Sequence, residues 1–229
     1  RVFKALKVKA RLSKEACKSK VRLKKKYLFF GEEVEDIKSI EKVFKRVVRV
    51  IVEEKGEETT LLFNANTGVP YAYDNTLREL KEYEQFNALS QEEGRLTVVM
   101  SSEGACTKQL LKERTGFSME RINELLESLM KKGKIRSFEE DEKEYCALSK
   151  DFPAITELKM LQADVIGETE PTNEKVEVND KAITNFIKTV SPKAVIKDVK
   201  VLIYPFYKVE IASFSPRTVI LDAVTSVKL

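Results

Sequence analysis

The sequence contains no histidine, no tryptophan and three cysteines, and each shortage removes a class of chemistry. Without histidine no imidazole base can activate a serine or cysteine, and a Cys/His zinc site is impossible. Cys17, Cys106 and Cys146 stand too far apart for a disulfide framework or for zinc-ligand spacing. They read as small buried apolar residues or incidental thiols in a reducing cytoplasm. The eight glycines are isolated, which leaves no glycine-rich loop to cradle phosphates. No run of about 18 apolar residues is present, so no membrane-spanning helix is expected. The segment Val2–Lys9 is interrupted by lysines and lacks the apolar stretch of a signal peptide. No catalytic residue, metal or cofactor is expected, and the chain reads as non-enzymatic.

What the chain has in quantity is charge. Lys, Arg, Asp and Glu make up 34% of its 229 residues, with Lys and Glu dominant, a composition common in thermophiles. The net charge of +4 conceals an asymmetry, because residues 1–30 hold 12 Lys and Arg against one acid, Glu15. That end carries +11, and the rest of the chain sums to −7. A basic end on a mildly acidic body is expected to meet nucleic acid, an anionic membrane surface or an acidic protein face. The plainer alternative is a solvated helix face. Candidate contacts are Lys18, Lys20, Arg22, Lys24, Lys25 and Lys26, on one expected helix and its end. At roughly 100° per residue they form a broad basic surface, not one stripe. The chain starts at Arg1 instead of Met, as expected of a piece of a longer protein.

The last third of the chain repeats the first. Ile37–Val50 followed by Leu61–Val69 has a counterpart in Ile196–Val209 followed by Val219–Val227. Both copies close on three apolar residues, Asn or Asp, Ala, any residue, Thr, a small residue and Val. Each copy reads as strand, helix and antiparallel meander. In the first, an alternating strand from Phe3 to Leu12 precedes a helix capped by Ser13, which carries Ala16, Val21, Leu23 and Leu28 and ends at Gly31. Strands are expected next at 35–44, 47–53 and 59–64. In the second copy, Lys175–Val178 reads as strand and Asp180–Thr189 as helix, with strands at 196–204, 206–214 and 218–222. Asn64–Gly68 and Asp222–Ser226 read as tight turns in which the Asn or Asp side chain bonds its own backbone two residues on. A catalytic role for Asp222 and Thr225 is the lesser reading, since the first copy has Asn64. The cluster Tyr204, Pro205, Phe206 and Tyr207 reads as sheet packing before it reads as a base-stacking platform.

These motifs resemble the PepSY family. Leu12–Ala16 opening a helix and Asn64–Gly68 closing a strand carry the resemblance in the first copy, and Val178–Ala182 with Asp222–Ser226 carry it in the second. Asn64 departs from the family's Asp, and Ser226 from its Gly. The resemblance implies a cystatin-like fold, a helix packed on a curled antiparallel sheet. It implies no catalytic residues, and such modules occur in accessory, inhibitory or envelope proteins.

Between the copies the period changes. Leu77, Leu80, Phe86 and Leu89 mark an amphipathic helix, and Cys106–Gly116 reads as a short helix stopped by glycine. Ser118 caps a further helix with the stripe Ile122, Leu125, Leu126, Leu129 and Met130. Two short strands, 135–138 and 145–148, flank the tip Glu139–Glu144. Helix, helix, glycine-containing turn, helix and hairpin resemble a winged helix-turn-helix. In that family the second helix of the motif enters the major groove. By position, Arg121 and Asn123 would then face bases, and Lys108, Lys112, Lys131, Lys132 and Lys134 would face phosphates. The charge pattern opposes simple duplex reading: residues 74–150 hold 13 basic and 16 acidic residues, and the tip has five acids with one lysine. A protein-docking winged helix fits equally well.

The expected architecture is α+β. Two small helix-on-antiparallel-sheet repeats, at 1–73 and 175–229, flank a winged helix-turn-helix at 74–150, with 151–174 as a linker or connecting helix. The leading functional expectation is a cytoplasmic, nucleic-acid-associated accessory or regulatory region of a larger protein, with DNA and a protein as candidate partners. The alternative is a protein-interaction or assembly module, and regulation of a peptidase comes third. The arrangement is similar to the C-terminal extensions of archaeal HerA-like DNA-translocating ATPases, which implies a place beside a motor.

Overall fold

The computed structural model describes residues 1–28, 31–74, 76–163, 167–213 and 215–227, with backbone alone at 25–28 and 31–34. From the N-terminus run β1 (Val2–Val8), α1 (Lys14–Lys20), β2 (Lys25–Leu28), β3 (Gly31–Val34), β4 (Asp36–Glu54), β5 (Glu57–Asn64), β6 (Pro70–Tyr73) and β7 (Leu77–Glu79). The middle of the chain holds α2 (Gln91–Glu103), α3 (Lys108–Thr115), α4 (Met119–Lys131), β8 (Ile135–Glu140) and β9 (Lys143–Leu148). The last part holds β10 (Thr169–Glu177), α5 (Asp180–Val190), β11 (Val195–Ala212) and β12 (Arg217–Asp222).

Strands from both ends of the chain join one mixed sheet in the order β10-β1-β11-β4-β5-β6-β7, with β12 also on β11. Its axis is the antiparallel ribbon of β4 and β11, paired from Val195 opposite Glu53 to Ala212 opposite Asp36. The first parts of the repeated sequence, Ile37–Val50 and Ile196–Val209, lie in these two strands, and the second parts run through β5 and β12 into the turns that follow them. Val47 lies opposite Asn64, and Phe206 lies opposite Asp222. Laying the first pair on the second carries Lys45 onto Tyr204, and those two residues are themselves partners across the ribbon.

Each long strand was expected as two. β4 runs unbroken through Lys45 and Arg46 because both find places for their charge. Lys45 is half-buried, with Nζ 4.7 Å from the Phe206 ring centre, and Arg46 pairs with Glu174 on β10 at 3.3 Å. β11 runs unbroken through Pro205 because the proline needs no ladder donor there. Its carbonyl accepts the Ala223 N–H, so its nitrogen, on the same side of the strand, faces away from β4.

The first helix is shorter than its sequence promised. Ser13 caps α1 as expected, accepting from the Ala16 N–H at 3.1 Å, but the helix stops at Lys20 instead of reaching Gly31. Continuing it would set Lys18 against Arg22, Lys20 against Lys24 and Arg22 against Lys26, like charges four residues apart that destabilise a helix. The chain turns extended at Val21, and β2 pairs with β3 as a hairpin. The expected helical residues Phe29 and Phe30 lie outside the described residues, as does Phe214 of the expected last meander. α5 matches its expected span within a residue. Its apolar stripe, Ile183, Phe186, Ile187 and Val190, is buried, with the Phe186 ring meeting Phe63, Tyr83 and Phe86 edge-on at 5.4–6.0 Å.

The inserted segment differs at its start. The expected helix from Leu77 to Leu89 is instead β7 and a 3-10 segment, Lys81–Ala88, which lays Tyr83 and Phe86 into the core. The first α-helix of the insert is α2, opened by a capping box. Ser90 accepts from the Glu93 N–H, and Glu93 accepts from the Ser90 N–H. α3, α4 and the β8–β9 hairpin follow near their expected places. Cys106 and Cys146 exchange two backbone hydrogen bonds of 2.8 Å, and all three cysteines are free and buried. The insert does not stand apart from the sheet. Leu96, Met100, Leu111, Ile122 and Leu129 belong to one continuous core with Val50, Phe63 and Phe186. α2 crosses α5 closely enough that a Cβ on Gly94 would lie 1.9 Å from Thr189 Cγ2. Strand β10 starts at Thr169, inside the stretch expected as linker or connecting helix. Among the described residues no helix is long and apolar enough to cross a membrane.

Candidate functional site

The basic end of the chain forms around α1. Cys17 anchors the helix against Tyr207, Val209 and Ile211 of β11, which turns the charged positions outward. Lys14, Lys18, Lys20, Arg22 and Lys24 are exposed, and none makes an ion pair with a carboxylate among the described residues. Their backbone is held from below. Glu35 accepts from the Lys24 N–H at 2.7 Å, and Arg217 binds both Glu35 and the Arg22 carbonyl. The Arg217 guanidinium, with the Lys24 N–H, holds the Glu35 carboxyl down to about 2. The clamp uses main chain, so the Arg22 and Lys24 side chains remain available. The side chains of Lys25 and Lys26 lie outside the described residues.

The surface of α3, α4 and the β8–β9 hairpin, expected as a winged helix, is arranged differently. Arg121 on α4 is held by both Glu92 and Glu124. Lys108 pairs with Glu144 of the hairpin at 2.8 Å, and Lys131 with Glu127 at 2.6 Å. Lys132 pairs at 2.7 Å with Glu93, which is 3% exposed and also accepts from Ser128 and Ser90. Burial pushes the Glu93 carboxyl up, but Lys132 and the hydrogen bonds from Ser90 and Ser128 outweigh it, and the net direction is down. Lys132 is thus a brace between α4 and the start of α2. Lys134 donates to Gln85 at 2.9 Å. Of the basic residues expected to face phosphate from this unit, Lys112 is exposed and makes no ion pair among the described residues, and Asn123 is exposed beside Glu124. The expected contacts therefore fall into two groups about two surfaces, and the structure does not bring them into one.

The two repeated turns are structural. Asn64 Oδ1 accepts from the Asn66 and Thr67 N–H groups, and its amide donates to Glu79 at 2.9 Å. Asp222 is wholly buried and accepts from the Val224 and Thr225 N–H groups and from the Tyr204 hydroxyl at 3.0 Å. Thr76 and the Leu77 N–H approach it at 3.4 Å. With every oxygen engaged and no water-facing surface, Asp222 is placed to hold a turn. Tyr204, Pro205, Phe206 and Tyr207 are all buried, as sheet packing requires.

A groove of about 640 Å³ runs along the edge of β4, between residues 41–46 and Thr172 and Glu174 of β10. Phe44 stands in it 45% exposed, with Lys7 Nζ at 5.5 Å and Lys42 Nζ at 5.7 Å from its ring centre. Lys45 enters from the opposite face of the strand, its burial lowering the ammonium's proton affinity. In sequence Phe44 is only the last residue of the strand expected at 35–44. The signal that could have singled it out is its setting, an aromatic within the run Lys42-Val-Phe-Lys-Arg46.

No family model, no curated protein and no solved structure matches this chain. Among the described residues no three of His, Cys, Asp and Glu are grouped as a metal would need.

Proposed function

We propose that this chain is a non-enzymatic accessory region of a larger nucleic-acid-handling protein, in which two related α+β copies share a sheet and carry a winged-helix-like unit between them. In this reading it meets phosphate through the basic end of the first copy. One observation carries the reading: the cations of α1 and the turn after it are exposed and unpaired among the described residues, whereas Arg121, Lys108, Lys131 and Lys132 are each held by a carboxylate. A phosphate approaching α4 must displace a carboxylate first. At α1 it releases only counter-ions, which is the main source of affinity for nucleic acid.

Fluorescence anisotropy with duplex and single-stranded oligonucleotides tests this. With about four phosphates neutralised, log K should fall against log salt with a slope of roughly −3 to −4. Joint replacement of Lys18, Lys20, Arg22 and Lys24 by Glu should abolish binding, while Arg121→Ala leaves it within about twofold. No binding of either oligonucleotide at about 50 mM salt would remove the reading. A second reading, a protein-docking winged helix, is favoured by the exposed side of α4, which carries the pairs Arg121–Glu124 and Glu127–Lys131 and leaves Met130 41% exposed.

A further inference from the structure

One strand position of the central ribbon is filled on β11 and bare on β4. β1 lies parallel to β11, with Ala5, Leu6 and Lys7 beside Val201, Leu202 and Ile203. The correspondence that carries Lys45 onto Tyr204 makes Lys42, Val43 and Phe44 the matching stretch of β4. Among the described residues no strand pairs with that edge. β5 covers β4 from Val47 onward, and β10, which stands where β1 stands in the other copy, pairs with β1 alone.

The main-chain groups of the bare edge can be located. Phe44 lies opposite Pro205, whose carbonyl is turned away from β4 toward Ala223. In an antiparallel pair, residues directly opposite either both face the shared seam or both face away, so Phe44 turns its N–H and C=O outward. Arg46 does the same, its carbonyl accepting the Ala65 N–H at 3.0 Å. By the two-residue alternation Lys42 also faces outward. Lys42 and Phe44 thus offer the groove ladder groups that have no partner among the described residues. Lys7 and Lys42 stand beside Phe44, and Lys45 over Phe206 on the opposite face. Of the carboxylates that line the same groove, Glu41, Glu79 and Glu174, the last two are engaged by Asn64 and Arg46. None of the three lysines pairs with a carboxylate among the described residues.

We propose that an extended acidic segment of a partner protein adds as a strand to the Lys42–Phe44 edge of β4, running parallel to it as β1 runs along β11. One set of its alternating side chains meets Lys7, Lys42 and Phe44, and the other set meets Lys45. Main-chain pairing supplies affinity, and the lysines select an acidic sequence with an apolar residue over Phe44. The proposal does not rest on the basic surface of α1 and stands whether or not that surface binds phosphate.

The test is anisotropy of a labelled peptide alternating Glu and Val with the whole chain, beside a peptide alternating Lys and Val and an oligothymidylate of similar length. The acidic peptide should bind at least about tenfold more tightly than the basic one. Phe44→Pro should weaken it by a further factor of about ten or more. That substitution removes an outward N–H while sparing the seam with β11, as Pro205 does on the opposite strand. Thermal unfolding reports whether the variant is folded. Should it not be, Lys7→Glu with Lys42→Glu must weaken binding to the same extent, and the Lys42 and Phe44 amide resonances of the unaltered chain must shift on peptide addition. Equal binding of the two peptides, or binding untouched by these substitutions, overturns the proposal. So does displacement of the acidic peptide by the oligothymidylate, which would make the groove a nucleic-acid surface.

Discussion

The two turns that close the repeated segments share a backbone and differ in how they are held. In the first, Asn64 satisfies two N–H groups and is itself steadied by Glu79 near the surface. In the second, Asp222 does the same work at zero exposure and collects the Tyr204 hydroxyl as well. Each turn docks on the other copy's helix. The Ala65 carbonyl accepts from Asn179, the cap of α5, and the Ala223 carbonyl accepts from Arg11 and Leu12, just before α1. At the closing position the first turn has Gly68 at φ +72° and the second has Ser226 at φ +65°. Space accounts for the difference. A Cβ on Gly68 would lie 2.6 Å from the Ala182 Cβ, so the first turn must be bare where it meets α5.

The largest effect that could break this comparison comes from Asp222→Ala. It strands the backbone donors of Leu77, Val224 and Thr225 and the buried Tyr204 hydroxyl, and about 3–5 kcal/mol of stability should be lost, measured by urea unfolding. Asn64→Ala should cost about 1 kcal/mol in the same assay, because water can reach the donors it leaves. Equal losses would mean that burial does not distinguish the turns. Gly68→Ala should cost about 2–4 kcal/mol, from left-handed strain together with the clash against Ala182. Ser226→Gly should do the reverse and raise stability by about 0.5–1 kcal/mol, since the left-handed backbone is already adopted and glycine relieves it. A destabilised Ser226→Gly would show that the serine side chain contributes more than its backbone strain costs.

The smallest effect concerns the clamp between the copies, where Arg217 of β12 holds Glu35 of the first copy. The Glu35 carboxyl titrates at about 2 against an ordinary 4.5, so the Glu35–Arg217 pair contributes its full stability above about pH 4.5 and loses it as pH falls toward 2. Comparing the native chain with Arg217→Met across that window, the native chain's unfolding midpoint should fall more steeply. Parallel curves would show that the clamp is not linked to proton uptake.

Much of this was legible in the sequence for identifiable reasons. The repeated turns announce themselves because Asn or Asp followed by Ala, Thr and a small residue has little other use after an apolar strand. Helix α4 was legible because its cap, Ser118, precedes a clean apolar stripe, and α5 because a cap at Asn179 or Asp180 opens it; the structure uses Asn179. The capping box of Ser90 and Glu93 is also written in the sequence and marks the start of α2, but the apolar spacing of Leu77, Leu80 and Phe86 mimics a helix upstream of it. What was hidden depends on partners distant in sequence. Lys45 and Arg46 look like a strand break until Phe206 and Glu174 are brought beside them. Pro205 looks like a break until its outward orientation is known. The pairing of Lys132 with buried Glu93 could not be foreseen from composition, so the lysine was assigned to phosphate when it braces two helices.

The bare contact of Gly94 on Thr189 has a mechanical consequence. The inserted unit is fastened to the sheet at its entry by β7, at its middle by α2 pressed on α5, and at its exit by the Ala163 N–H on the Thr60 carbonyl. Because β9 packs on α2 and α2 on α5, the β8–β9 hairpin is joined by continuous packing to the helix against which the first copy's turn is seated, and does not hang on a tether.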